Sequence, residues 1–178
     1  MKVKTFVLGV ALVVSAFGLN GAAAQDAVPR VALHNDWSVF NPAGQRECFV
    51  ASAPTVTSAQ RNNQPVQVRR SEIRLYISNR PSENVRNEVA FNSGYPFRDG
   101  STVNVVIGTD AYELFTEGEW AWPATPEDDV SIVASMRRGA QAVITGLSSR
   151  GTTTIDTFSL IGFSAALDDA NTRCFGGQ

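Results

Sequence analysis

Beyond Lys4 the chain has no lysine, its only histidine is His34, and its only cysteines are Cys48 and Cys174. Each scarcity removes a class of chemistry. A Ser-His-Asp or Cys-His catalyst would have to recruit His34 from residues 25–35, a polar stretch without periodicity that reads as a flexible leader. Two cysteines do not make a zinc site, and no C-x-x-C marks a redox couple. Phosphate loops of the Walker type, dinucleotide glycine patterns, H-E-x-x-H and EF-hand loops are absent as well. Gly146-Leu147-Ser148-Ser149-Arg150-Gly151 has the serine and the glycines of a nucleophile elbow but not the spacing, and reads as a turn. No cofactor and no metal is implied.

A membrane-length apolar run is missing too. The stretch from Phe6 to Leu19 is interrupted by Gly and Ser and falls short of the ~20 residues a spanning helix needs. Lys2 and Lys4 precede it, and Ala22-x-Ala24 follows with the two small side chains that signal peptidase accommodates. Residues 1–24 are therefore expected to be a signal peptide cut between Ala24 and Gln25, with no transmembrane span left after its removal. What remains carries 13 arginines against 17 acidic residues, a net charge of −4. That balance argues against general nucleic-acid or anionic-membrane binding.

Export places both cysteines in an oxidising compartment, where thiols pair. A Cys48–Cys174 disulfide is expected, joining an early strand to the C-terminus. In the chain-entropy model, closing so long a loop stabilises by on the order of 5 kcal/mol as an upper figure.

Strand signals dominate the rest. Asp36-Trp37-Ser38-Val39, a turn at Asn41-Pro42-Ala43-Gly44 and Glu47-Cys48-Phe49-Val50-Ala51 read as a first hairpin. Residues 52–70, rich in Ser, Thr, Asn, Gln and Pro, read mainly as an exposed loop. Strands are expected at Ile73–Ser78, Val85–Phe91, Thr102–Ile107, Tyr112–Phe115, Ala142–Leu147 and Thr152–Ile161, with Gly108-Thr109-Asp110 as a tight hairpin. In the first of these, Ile73, Leu75 and Ile77 point inward and Arg74, Tyr76 and Ser78 outward.

One helix is signposted over 126–138. Thr125 suits the N-cap, Pro126 the first position, Glu127 and Asp128 the positive end, and Gly139 the stop after Arg137-Arg138. Val130, Val133, Ala134 and Arg137 line one side of it, with Ile132 and Met136 on the neighbouring one. A short helical turn over Ser164–Ala170 precedes Cys174. About eight strands and one substantial helix predict a single mostly β domain over 36–178, a β-sandwich or a partly closed barrel.

Three residue groups could carry function. The carboxylate pairs Glu117 with Glu119, Asp128 with Asp129 and Asp168 with Asp169 would serve a glycosidase only if two converged across a cleft; capping and solubility are their ordinary roles. Arg69, Arg70, Arg74, Arg80 and Arg86 form a local basic excess that could meet an anionic glycan or an acidic protein patch, or could be a solvated face paired with Glu72, Glu83 and Glu88. Trp37, Trp120 and Trp122 are a binding shelf or core; core is the ordinary place for a tryptophan in a sandwich, and Trp120 and Trp122 share a face if their segment is extended.

The string Arg86-Asn87-Glu88-Val89, Gly94-Tyr95-Pro96-Phe97, Leu114-Phe115-Thr116, Ala121-Trp122, Arg150-Gly151-Thr152, Asp156-Thr157-Phe158-Ser159-Leu160, Gly162-Phe163 and Ala165-Ala166-Leu167 resembles the invasion-associated locus B family over nearly all of the exported chain. Asp36-Trp37-Ser38-Val39 and Cys174 fit the same pattern. The resemblance implies an exported alphaproteobacterial envelope protein with a β-rich domain, in a family named for a part in host-cell invasion, and it brings no catalytic residues. Many members carry a cysteine where this chain has Phe40, so a second bridge of some relatives is not formed here.

The expected function is that of a non-enzymatic periplasmic or secreted domain that binds a protein or an envelope component. Its rivals are an envelope hydrolase working through paired carboxylates and an envelope-stress structural protein. Intact mass of the exported protein should correspond to a chain beginning at Gln25; a mass retaining residues 1–24 would contradict the signal reading.

Overall fold

The alternation of Leu75 and Ile77 with Arg74, Tyr76 and Ser78 becomes one strand of a large antiparallel sheet, in which the first set is buried and the second faces outward. The computed structural model describes residues 28–42 and 47–176. Its strands are β1 (Arg30–His34), β2 (Trp37–Phe40), β3 (Cys48–Ser52), β4 (Val56–Arg61), β5 (Gln64–Pro65), β6 (Arg74–Arg80), β7 (Val85–Asn92), β8 (Thr102–Ile107), β9 (Asp110–Glu117), β10 (Trp120–Trp122), β11 (Gln141–Leu147) and β12 (Thr153–Ser159). The helices are α1 (Pro126–Arg138) and α2 (Phe163–Phe175).

The twelve strands of the described residues form a single sheet in the order β1-β2-β3-β6-β7-β10-β9-β8-β11-β12-β4-β5, with β1 and β5 at its two ends. The sheet curls on itself without closing. Phe91 on β7 meets Phe158 on β12 edge to face with centroids 6.1 Å apart, although four strands separate them in the order. Trp37 on β2 donates its indole N–H to the Ser159 carbonyl of β12 at 3.0 Å and lies on the Phe163 ring of α2. The inner faces of the two halves thus share one apolar core, to which α1 gives Ile132, Val133 and Met136 and α2 gives Phe163, Ala166, Leu167 and Ala170. The fold is the mostly β, sandwich-like arrangement the sequence predicts.

Helix α1 occupies the predicted residues, with the Thr125 hydroxyl accepting from the Asp128 N–H at 3.2 Å. One expectation about it is corrected. Val130 is exposed, because the inward face is set by Ile132, Val133 and Met136. Gly139 ends the helix as expected, its N–H donating to the Ser135 carbonyl, and close approach requires a glycine there, since a Cβ would come within 2.6 Å of Ile107 Cγ2. The C-terminal turn expected over Ser164–Ala170 is a full helix, α2, and Cys174 lies within it, bonded to Cys48 of β3 with Cα atoms 5.8 Å apart.

Strand content is underestimated in the polar regions. Residues 25–35 were expected to be loose, yet Arg30–His34 pair with β2 as an edge strand, and His34 Nε2 meets Asp169 Oδ2 of α2 at 3.0 Å. The 52–70 loop contains β4, paired along β12 from Val56 to Gln60, and β5. Their side chains are largely exposed, so backbone pairing carries these strands and the apolar alternation that flags a half-buried strand is missing. The first hairpin forms between β2 and β3, its turn lying partly outside the described residues. The segment expected to be a signal peptide, residues 1–24, lies outside them entirely.

The connection from β5 to β6 carries the most heavily bonded side chain of the fold. Arg70 donates from Nη1 and Nη2 to the two Asp156 oxygens, 2.7 Å each, and from Nε and Nη2 to the Ser93 carbonyl at 2.8 and 2.6 Å. Asp156 is fully buried on the inward face of β12; burial pushes its carboxyl above the usual range, and Arg70 pulls it back. Breaking such a pair on one side strands a buried charge. Arg70→Met or Asp156→Leu alone is expected to cost about 3–5 kcal/mol in urea unfolding, with the double variant recovering most of it. Additive losses would contradict the pairing.

Asp129 anchors α1 by accepting the Val89 N–H of β7 at 2.8 Å. Burial, with the charges of Glu88 and Asp128 adding to it, raises its carboxyl to about 6, against the pull of that backbone bond. A carboxyl raised on folding binds its proton more tightly in the native state, so its contribution to stability is highest at low pH and falls as pH rises toward and through 6. Asp129→Asn keeps an acceptor for Val89 and should flatten the stability profile between pH 4 and 7 relative to wild type; an unchanged difference across that window would contradict the assignment.

Candidate functional site

Outward positions follow from register. Tyr76 pairs with Ala90, Ser78 with Phe49 on one side and Glu88 on the other, Phe49 with Phe40, and Trp122 with Phe115. On a wet sheet face these positions ordinarily carry polar residues. Here they place Phe40, Phe49, Tyr76, Trp120, Trp122 and Phe115 on the outer surface of five strands.

The rings form a row. Phe40 stacks on Phe49 with centroids 4.7 Å apart, Phe49 meets Tyr76 at 6.1 Å, Tyr76 meets Trp120 at 5.6 Å, and Trp120 stacks on Trp122 at 6.1 Å and 16°. Between Tyr76 and Trp120 runs β7, whose outward residue there is Ala90; its small side chain lets rings on β6 and β10 approach over it. Phe115 and Trp120 are 56 and 37 % exposed, a large apolar display for an outer face.

A groove of about 330 Å³ runs along the row, lined by Phe49, Tyr76, Ala90, Trp120 and Trp122 together with Glu47, Ser78, Arg80 and Glu88. Arg80 Nη2 holds both Glu88 oxygens at 3.1 and 2.9 Å and its Nε reaches Glu83 at 2.9 Å, so the apolar floor has a charged rim. The contrast with the core tryptophan is informative. Trp37 is fully buried and its N–H is satisfied by Ser159. Among the described residues the Trp120 and Trp122 N–H groups and the Tyr76 hydroxyl make no hydrogen bond, so all three remain available to a ligand. Burial, then the nearby Glu72 charge, raises the Tyr76 hydroxyl, keeping it a neutral donor.

The tryptophans divide accordingly: Trp37 is core, Trp120 and Trp122 are shelf. The arginines divide as well. Arg74 pairs with Glu72, and Arg80 with Glu83 and Glu88, as on a solvated face, while Arg86 lies over the Phe175 ring, 4.2 Å from its centroid. Arg70 is drawn inward by Asp156, leaving its side chain largely buried; Arg69 remains exposed. Sequence reasoning missed Phe40, Phe49, Tyr76 and Phe115 as shelf members. The signal was the aromatic residue at outward parity in β6, which becomes legible only once pairing brings its neighbours alongside.

The carboxylate pairs are dispersed. Asp128 accepts from the Thr125 hydroxyl, Asp129 holds β7, Asp168 pairs with Arg137, and Asp169 is held by His34 and Arg173, which draw its carboxyl below the usual range. No group of three potential metal ligands occurs among the described residues, and none of their helices is long and apolar enough to cross a membrane.

These features define a disulfide-closed protein of one curled β-sheet with two helices against its core and an aromatic groove on its outer face. Residues 41–171 match the family model described as invasion associated locus B (IalB) protein, and the chain belongs to that family. No curated protein and no solved structure gives a match.

Because the outer rings contribute little to the core, Trp120→Ala should change unfolding free energy by under about 1 kcal/mol, whereas Trp37→Ala should cost about 3–5 kcal/mol. Equal losses in urea melts would place Trp120 in the core.

Proposed function

We propose that this member of the invasion associated locus B family acts outside the cytoplasm as a non-enzymatic binding domain, holding a saccharide-bearing envelope component on its aromatic outer face. The row from Phe40 to Trp122 is the observation that carries this reading. Flat rings receive the C–H faces of sugar rings, while unspent indole N–H groups, the Tyr76 hydroxyl and the Arg80–Glu88 pair are placed to bond hydroxyls around them. The disulfide and the signal-like leader support an exported setting, and the acidic balance of the exported chain disfavours a nucleic-acid ligand.

Co-sedimentation with purified peptidoglycan sacculi, with a glycan array alongside, tests it. Retention of wild type and at least tenfold weaker retention of Trp120→Ala/Trp122→Ala, at unchanged stability, is the expected result. Binding that survives the double variant would contradict the shelf as the site. One observation favours a second reading: Glu47 and Glu88 line the same groove. A hydrolase would release reducing sugar from the bound sacculi and lose that release in Glu88→Gln; the binding reading expects none from wild type.

A further inference from the structure

A second concavity, of about 490 Å³, lies where the β5–β6 connection passes the Tyr95–Pro96 segment and the β11–β12 turn. Its chemistry differs from that of the shelf. Arg61, Arg69, Arg70 and Arg150 line it with the hydroxyls of Ser148, Ser149, Thr152 and Thr154, and Glu119 is the only carboxylate among the lining residues. Arg70 is spent on Asp156 beneath, which leaves three guanidinium groups against one carboxylate.

The distribution of arginines over the molecule sharpens this. Acidic residues outnumber arginines in the chain, so an arginine should readily find a carboxylate. Arg70, Arg74, Arg80, Arg137, Arg138 and Arg173 do, and Arg86 lies over Phe175. Among the described residues that leaves Arg30, Arg61, Arg69, Arg98 and Arg150 without either kind of partner, and three of the five line this one cleft. A fourth, Arg98, stands beside it: its Nη2 is 3.1 Å from where a Cβ on Gly151 would lie. Arg61 is oriented, not loose, because its Nε and Nη2 both donate to the buried Thr152 hydroxyl at 3.2 and 2.7 Å, which leaves Nη1 uncommitted. Backbone geometry holds the wall: Gly94, at φ +70°, sits so close to Ser71 that a Cβ there would meet the Ser71 carbonyl oxygen at 2.7 Å.

We infer that this cleft is an oxyanion site, in which Arg61, Arg69 and Arg150 receive a phosphate or carboxylate group of a ligand. Planar guanidinium forks match both anions bidentately, and like charges gathered in a concavity are relieved by an anion between them. The inference stands apart from the saccharide reading of the shelf, though Glu119 lines the cleft and its neighbour Trp120 lines the shelf.

The test uses the disulfide-closed exported chain, with the arginine Nε–H resonances followed by NMR during titration with inorganic phosphate and, separately, with tri-galacturonate. Saturable shifts at Arg61, Arg69 and Arg150 are expected, with affinity reduced at least tenfold in Arg69→Gln/Arg150→Gln and unchanged in Arg30→Gln, whose guanidinium is also unpaired but lies elsewhere. Both cleft residues are exposed, so the fold should persist; Arg150→Gln alone, checked by its amide spectrum, serves if the double variant does not fold. The tighter of the two probes identifies the source of the anion as phosphoryl or uronic. Shifts with neither probe, or equal weakening by Arg30→Gln, would overturn the inference without touching the shelf, whose sacculus binding is read separately.

Discussion

The fold depends most on a charge pair that an apolar core has no intrinsic reason to tolerate. Asp156 occupies an inward position of β12, between Thr154 and Phe158, and Arg70 reaches it from the connection between β5 and β6. Removing both charges from water costs several kcal/mol per ion, offset only because the fork-to-fork geometry is nearly ideal and the remaining donors find the Ser93 carbonyl. The consequence is topological. β12 lies in one half of the curled sheet and Ser93 follows β7 in the other, so one side chain bridges the two halves at a position where no strand pairing joins them. Through Ser93, whose N–H and hydroxyl both donate to the Glu119 carbonyl, the same strap reaches the first residue before Trp120. Shelf and cleft are therefore positioned by one interaction.

The two faces of the sheet use aromatic residues for opposite ends. Inside, Phe91, Phe158, Phe163 and Trp37 fill volume, and the one polar atom among these side chains, the Trp37 indole N–H, is satisfied by Ser159. Outside, six rings remain in contact with solvent over a floor made flat by Ala90 and Ala51. Aromatic pairs on neighbouring strands do add a fraction of a kcal/mol to sheet stability. That gain does not account for unspent indole N–H groups or for the ion-paired rim, both of which suit a surface that exchanges water for a polar, flat partner.

Much of this was legible in the residues. The capped helix over 126–138, the hairpin at Gly108-Thr109, the alternation in β6 and the Cys48–Cys174 pairing each rest on local chemistry or compartment, and each is found in the structure. β1, β4 and β5 escaped because edge and wet strands are held by backbone pairing and need no apolar period. Arg70 looked like one of a run of surface charges, since nothing near it in sequence announces Asp156, 86 residues away. Trp120 and Trp122 were assigned a shared face correctly, but whether that face was wet depended on the sheet's curl, a property of long-range pairing.

Native-state amide hydrogen exchange on Arg70→Met tests most directly whether one buried pair organises both surfaces. If it does, β4, β12 and the Glu119–Trp122 segment should open sub-globally, exchanging faster than the β6–β7 hairpin, whose protection should fall only as far as global stability does. A uniform fall in protection across every strand would make the pair one core contact among many and contradict the account.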